Sequence, residues 1–223
     1  MVTTSIERVD KKVLCIPAIE LMPKRTRAYA VLVHGYGGCK EELLGLAWRI
    51  ALIGVHAVTI DLRGHGENEL LFDEKIINDV QAAVSCYKTL GKVIAIGHSL
   101  GGRLCLQSNA DYSIGISPAL PQTYSEATQQ FIAQMRAHRV REARPGVNFE
   151  ILRSLPTWNQ PNSPIAAIVY ASRDVPEIKI ECERLKKEGG WINQMENTNH
   201  ADIYLSKQTF ETVEERIESW LSP

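Results

Sequence analysis

Val93-Ile94-Ala95-Ile96-Gly97-His98-Ser99-Leu100-Gly101-Gly102 is the stretch that decides how the chain is read. An apolar, β-type run stops abruptly in Gly-His-Ser-Leu-Gly, and a helix-compatible stretch from Arg103 to Asn109 follows. A serine between two glycines on a strand-to-helix turn is the pattern of a nucleophile elbow. So sharp a turn strains the serine backbone and leaves no room for side chains two residues to either side, which Gly97 and Gly101 satisfy. The Ser99 hydroxyl then stands at the end of a sheet and at the N-terminus of a helix, where the Leu100 N–H is free. A glycine-rich strand-to-helix crossing without chemistry gives the same five-letter match, so the rest of the chain has to discriminate.

The bulk composition narrows the field. With 223 residues, 44% hydrophobic and 23% charged, the chain is long enough for one globular domain with a buried core. A formal net charge of -1 points to no nucleic acid and to no anionic membrane surface. No apolar run reaches the length of a membrane span, and Met1 to Asp10 lacks the apolar region of a signal peptide. Cys15, Cys39, Cys86, Cys105 and Cys182 are dispersed, without C-x-x-C or zinc-ligand spacing. Their odd, scattered number predicts free thiols in a reducing cytosol.

Along the chain, strands and helices alternate. Thr4–Val9 and Val13–Ile19 read as two strands, with a hairpin turn at Asp10-Lys11-Lys12. Ala28 to Val33 is a continuous apolar run, the mark of a strand buried on both faces of a parallel sheet. It ends in His34-Gly35-Tyr36-Gly37-Gly38, a loop that can aim the Tyr36 N–H into the space beside Ser99. Together with the Leu100 N–H this makes a two-donor oxyanion hole. The other readings are a tight loop without chemistry and a phosphate-binding turn, and the second lacks the Gly-Lys-Ser/Thr that would follow it. Lys40 to Gly54 is a helix, Val55 to Ile60 a strand, and Asp61 to Asn68 a polar glycine-rich loop whose His65 reads as a structural histidine bonded within the loop. Asp73 to Leu90 is a second helix, Tyr112 to Ser117 a strand, and Ile165 to Tyr170 another. A helix over residues 176–188, a strand over Trp191–Glu196 and a helix over Lys207–Leu221 complete the pattern. Such alternation predicts an α/β domain with a mainly parallel sheet, whose ligands bind beyond the carboxyl ends of the strands.

Residues 118–164 interrupt the rhythm. They are punctuated by prolines and carry one helix, about Ser125 to Glu142, and a short helical turn near Asn148 to Leu155. An insertion at the active-site edge of a sheet often forms a lid. Phe131, Ile132 and Met135 either face the pocket or pack the lid onto the core. Arg136, Arg139, Arg141 and Arg144 either form a solvated helix face or meet an anionic group of the substrate.

A serine nucleophile needs a base, and the base a carboxylate to orient it. Ser99, Asp174 and His200 each stand just beyond a different expected strand, in that chain order. His200 lies in the polar loop Asn197-Thr198-Asn199-His200-Ala201-Asp202 rather than on an apolar face. Asp111, Glu177 and Glu196 are the weaker candidates for the acid.

With these residues in hand, the chain resembles the α/β-hydrolase superfamily. The resemblance rests on His34-Gly35-Tyr36-Gly37-Gly38, Asp61-Leu62-Arg63-Gly64-His65-Gly66, Gly97-His98-Ser99-Leu100-Gly101-Gly102, Arg173-Asp174-Val175-Pro176 and Asn199-His200, and it spans nearly the whole chain. It implies an α/β-hydrolase fold: a mostly parallel eight-stranded sheet flanked by helices, in one domain over 1–223 with a short helical lid at about 118–164. It further implies a Ser99–His200–Asp174 triad with Tyr36 and Leu100 N–H groups as the oxyanion hole. Gly-Tyr-Gly-Gly-Cys-Lys-Glu-Glu, residues 35–42, looks like the small single-domain esterases and acyl-hydrolases. The expected activity is hydrolysis of a small carboxylic ester or thioester through an acyl-enzyme, with no metal or organic cofactor. The alternatives are a peptidase, lactonase or C–C hydrolase on the same fold, or a small-molecule-binding protein on that scaffold.

Overall fold

In the computed structural model, residues 5–144, 146–160 and 162–222 are described. Eight strands form one sheet: β1 (Ile6–Val13), β2 (Ile16–Pro23), β3 (Ala28–Val33), β4 (Val55–Ile60), β5 (Val93–His98), β6 (Tyr112–Ile116), β7 (Ala166–Arg173) and β8 (Ile192–Asn199). Their spatial order is β1-β2-β4-β3-β5-β6-β7-β8. The pairings from β4 through β8 are parallel, and β2 runs antiparallel to both β1 and β4.

The apolar runs are continuous because both faces of the sheet are covered. Along β3, Val31 and Val33 enter one core, and Ala28, Ala30 and Leu32 the other; β5 divides Val93 and Ala95 from Ile94 and Ile96 in the same way. One face packs against α2 (Ile76–Lys88), α3 (Leu100–Leu106) and α6 (Pro176–Lys187), the other against α1 (Leu44–Leu52) and α7 (Lys207–Leu221). Two further helices, α4 (Glu126–Arg136) and α5 (Val147–Ser154), lie in the segment that joins β6 to β7.

The structure corrects several element boundaries. The first hairpin turns at Leu14-Cys15, not at Asp10-Lys11-Lys12; both turn residues have positive φ, 48° and 73°, and Val13 pairs directly with Ile16. A two-residue turn of this hand matches strand twist, and Lys11 and Lys12 instead line the free edge of the sheet. Of the expected first strand, Thr4 lies outside the described residues. The helix expected over Ser125–Glu142 stops as an α-helix at Arg136 and continues only as a short 3₁₀ turn over Ala137–Arg139. Beyond it the backbone of Arg141 is taken up by another partner: its N–H donates to Gly64 O and its carbonyl accepts from Phe72 N, both at 2.9 Å. The helix after the elbow begins at Leu100 rather than Arg103, and α2 begins at Ile76 because Asp73 closes a turn ahead of it, its carboxylate accepting from Lys75 N at 3.0 Å.

Candidate active site

The elbow is strained where the sequence places it. Ser99 has φ 53° and ψ -115° and is the residue between β5 and α3. A Cβ on Gly97 would lie 2.3 Å from the backbone of Gly101, and one on Gly101 would lie 2.3 Å from Val33 O. Neither approach leaves room for a side chain, so the helix seats directly on the ends of β3 and β5. The strained residue is held by its own backbone: Ser99 N donates to Ile116 O at 2.9 Å, and Ser99 O accepts from Ala119 N at 2.9 Å and Arg103 N at 3.1 Å.

Three strand ends converge there. Ser99 follows β5, Asp174 follows β7 and His200 follows β8, each as the first residue past its strand. His200 Nε2 lies 3.0 Å from Ser99 Oγ, and His200 Nδ1 lies 2.7 Å from Asp174 Oδ1. An ionised carboxylate only accepts hydrogen bonds, so the ring proton belongs on Nδ1 and Nε2 is left to accept from the Ser99 hydroxyl. The arrangement can therefore pass a proton from hydroxyl to imidazole.

Asp174 is fully enclosed, with its side chain at 0% exposure. Burial raises the pKa of its carboxyl, but hydrogen bonds from His200, Ser117 and the Ala171 N–H, with the His200 charge, bring it below the usual carboxylate range. Ala171 N donates to Oδ2 at 2.9 Å and Val175 N to Oδ1 at 2.8 Å. Ser117 Oγ donates to Oδ2 as well. Sequence reading missed Ser117. The available signal was a hydroxyl at the carboxyl end of β6, the strand beside the one that Asp174 follows.

His200 is positioned in turn. His98 is buried, and its Nε2 lies 2.8 Å from the carbonyl oxygen of His200. Burial holds the His98 pKa well below the ordinary imidazole value, and the nearby His200 adds to the effect. The neutral ring thus donates from Nε2 to that carbonyl. Asp202 closes the same loop by accepting from Asn199 N at 2.7 Å.

A cavity of about 580 Å³ opens over Ser99, and Tyr36 and Leu100 stand on its wall beside the serine. Phe131, Ile132 and Met135 of α4 all line it, and Ile132 also packs against the core, so both readings hold for that residue. The arginine run is neither a single helix face nor a free anion site. Arg136 and Arg139 meet Glu42 at 3.5 and 3.8 Å, and Arg144 meets Glu150 at 2.5 Å. Arg141 donates to backbone carbonyls of the β4–α2 loop, including Gly66 O at 2.9 Å.

The other acid candidates lie elsewhere. Asp111 accepts from Val93 N at 2.7 Å, Glu177 from Ser125 N at 2.8 Å, and Glu196 from Gln194 Nε2 at 2.7 Å. His65 is the loop histidine expected, its Nδ1 2.9 Å from Arg63 O.

Comparison with known proteins agrees with this architecture. No curated protein sequence matches the chain. Among solved structures, a hyperthermophilic esterase from the archaeon Pyrobaculum calidifontis superposes with TM-score 0.66 at 19% identity, covering 97% of this chain and 85% of its own. TT1662 from Thermus thermophilus gives TM-score 0.65 at 14% identity, covering 98% and 99%. A monoglyceride lipase from Saccharomyces cerevisiae gives 0.63 at 14%, covering 100% and 96%. At these identities the likeness is one of fold. The sequence profile of the Alpha/beta hydrolase family matches residues 30–201, from within β3 to just past His200. A match that runs from within β3 through the elbow to just past the last strand makes this chain a member of the alpha/beta hydrolase family.

Proposed function

We propose that the protein is a serine hydrolase that cleaves a small carboxylic ester or thioester through an acyl-enzyme. The observation that carries this reading is the unbroken chain Asp174–His200–Ser99, with contacts of 2.7 and 3.0 Å, opening on a mainly apolar cavity. Ser99 Oγ attacks the carbonyl carbon as its proton passes to His200 Nε2. The negative charge moves to the carbonyl oxygen, which the Tyr36 and Leu100 N–H groups receive. His200 then gives the proton to the departing alcohol or thiol, leaving the acyl group on Ser99. Water, deprotonated by the same Nε2, attacks that ester, and the acid leaves as the proton returns to Ser99. Asp174 keeps the ring in the productive tautomer and stabilises the transient imidazolium.

In this reading, residues 118–164 act as a lid that supplies the substrate-facing wall. The five thiols, none of them paired, suit a reducing compartment such as the cytosol. The test is hydrolysis of p-nitrophenyl and thioester substrates by the wild type and by Ser99→Ala and His200→Ala. Turnover should fall by at least about a thousandfold in both variants. Wild-type activity that survives Ser99→Ala, or a wild type that turns over no ester or thioester, contradicts the proposal.

A further inference from the structure

In the loop Gly35-Tyr36-Gly37-Gly38 after β3, Tyr36 alone carries a side chain. The glycines around it leave the backbone free to swing, and Gly37 stands at φ 72°. An N–H that is to receive an oxyanion has to be held still. The Gly35 end is held from within the sheet. A Cβ on Gly35 would lie 3.1 Å from Ser99 Cβ, so the loop rests on the elbow. Gly35 O accepts from Gly38 N at 3.0 Å and lies 2.7 Å from His34 Nδ1. Leu62 N donates to His34 Nε2 at 3.2 Å, which leaves the ring proton on Nδ1 for that carbonyl.

The Tyr36 end is held by the segment that joins β6 to β7. Tyr36 Oη donates to Glu142 Oε2 at 3.0 Å, 106 residues away in the chain. Burial and the Glu142 charge raise the pKa of the Tyr36 hydroxyl above its ordinary value, so it keeps the proton it donates. Glu142 is itself fixed. It forms an isolated bridge with Phe72, and its neighbour Arg141 donates from N to Gly64 O and accepts from Phe72 N, both at 2.9 Å. Phe72 and His65 pack on the Tyr36 ring, with centroids 5.5 and 5.9 Å away. Arg136, the last residue of α4, covers Gly37 so closely that a Cβ there would lie 2.7 Å from Arg136 Cβ. The inserted segment therefore meets this loop through both side chain and backbone.

We propose that Glu142 is a positioning residue for the reaction: by anchoring the Tyr36 hydroxyl it fixes the Tyr36 N–H beside Ser99, so the inserted segment completes the oxyanion hole as well as lining the cavity. This deepens the serine-hydrolase reading and rests on it. A reacting group about 1 Å out of place loses on the order of a hundredfold in rate. Glu142 acts only through Tyr36, so its effect belongs to the transition state and not to the binding of substrate.

The experiment compares wild type with Glu142→Leu, Glu142→Gln, Tyr36→Phe and the double variant Tyr36→Phe/Glu142→Leu, on the p-nitrophenyl ester or thioester that the wild type turns over fastest. Glu142→Leu and Tyr36→Phe should each lower kcat by at least about tenfold while KM stays within about threefold. The double variant should be no slower than the slower single variant, because both changes remove one bond. Glu142→Gln keeps an acceptor and should recover most of what Glu142→Leu loses. A trifluoromethyl ketone gives a second readout. Ser99 Oγ bonds to its carbonyl carbon, the serine proton passes to His200, and the charged oxygen occupies the hole without turnover. Its Ki should rise by about the factor by which kcat/KM falls. A kcat loss below tenfold, a loss carried by KM, losses that multiply in the double variant, a Glu142→Gln as slow as Glu142→Leu, or an unchanged Ki overturns the proposal. Tyr36→Phe removes a single oxygen, so its kcat, KM and Ki decide the matter if Glu142→Leu fails to fold. A wild type that turns over no ester or thioester sinks the serine-hydrolase reading and this proposal with it; an active wild type whose variants keep their kcat sinks this proposal alone.

Discussion

Three side chains from distant parts of the sequence meet because each is the first residue beyond a strand of the sheet. That much was legible: an apolar run that stops at a polar residue marks the strand end, and parallel strands bring their carboxyl ends to one edge. Ser99, Asp174 and His200 were singled out in this way, although the expected strands before the last two stop at Tyr170 and Glu196, short of the ends at Arg173 and Asn199. Ser117 was not, because its contact with Asp174 depends on β6 lying beside β7, and sheet order is not written in any one segment. The two open readings of the arginine run were undone in part for a similar reason: Glu42, which meets Arg136 and Arg139, and the β4–α2 loop carbonyls that take up Arg141 are distant in sequence, while Arg144 meets the nearby Glu150. At this scale Asp174→Asn is the informative substitution. An amide in that place can still accept, but it can also donate, and it lacks the charge that favours Nδ1–H and the imidazolium. The expected loss in kcat is on the order of 10³–10⁴ with the fold retained. Steady-state kinetics beside a circular dichroism melt measure both; a loss below about tenfold would remove Asp174 from its role.

Elements were legible where period and punctuation agreed. Ala28–Val33, Val55–Ile60 and Lys207–Leu221 were read with the bounds the structure gives them. Ends set by tertiary contacts were not: α4 is cut short where Arg141 joins the Gly64–Phe72 loop, far away in sequence. One buried group ties the elbow to the inserted segment. Arg103 of α3, at 0% exposure, donates to Ala119 O at 3.1 Å and to Leu120 O near the segment's start, and to Leu155 O and Pro156 O, both at 3.0 Å, toward its end. Its guanidinium has carbonyls for partners rather than a carboxylate, and burial lowers its pKa from the ordinary value. Arg103→Leu strands those carbonyls without donors, so a loss of about 2–5 kcal/mol is expected from urea unfolding. A change under about 0.5 kcal/mol would show that the segment holds its place without the arginine. Gly101→Ala tests the elbow itself. With Val33 O only 2.3 Å from the added carbon, the strand ends must part, and a cost of at least about 3 kcal/mol is expected in the same measurement.

For the whole molecule, the loops at the site edge carry a pH signature. Burial pushes His34 down to about 4 and His65 down to about 3, from an ordinary value of 6.5. Leu62 N donates to His34 Nε2 at 3.2 Å, so that ring must stay neutral. With the folded pKa depressed, the unfolded chain takes up protons first as pH falls through 6.5, and stability falls with it toward pH 4 and pH 3. Each ring removes about 2 kcal/mol by pH 5. Glu20 is raised by burial but lowered further by His56, Tyr87 and Lys11, to about 2, so its contribution is full above the ordinary carboxylate pKa of 4.5 and is lost as pH falls from there toward 2. Urea midpoints should therefore drop clearly between pH 7 and pH 5; an unchanged midpoint would mean that neither ring is held neutral. Among the described residues no helix is long and apolar enough to cross a membrane. What the whole architecture serves, in this account, is attack by one hydroxyl. The most direct measurement is intact-mass analysis with peptide mapping after treatment with a fluorophosphonate. The account predicts one adduct per chain, on Ser99, and none on the folded Ser99→Ala protein. An adduct at any other residue, or a wild type that stays unmodified, would contradict it.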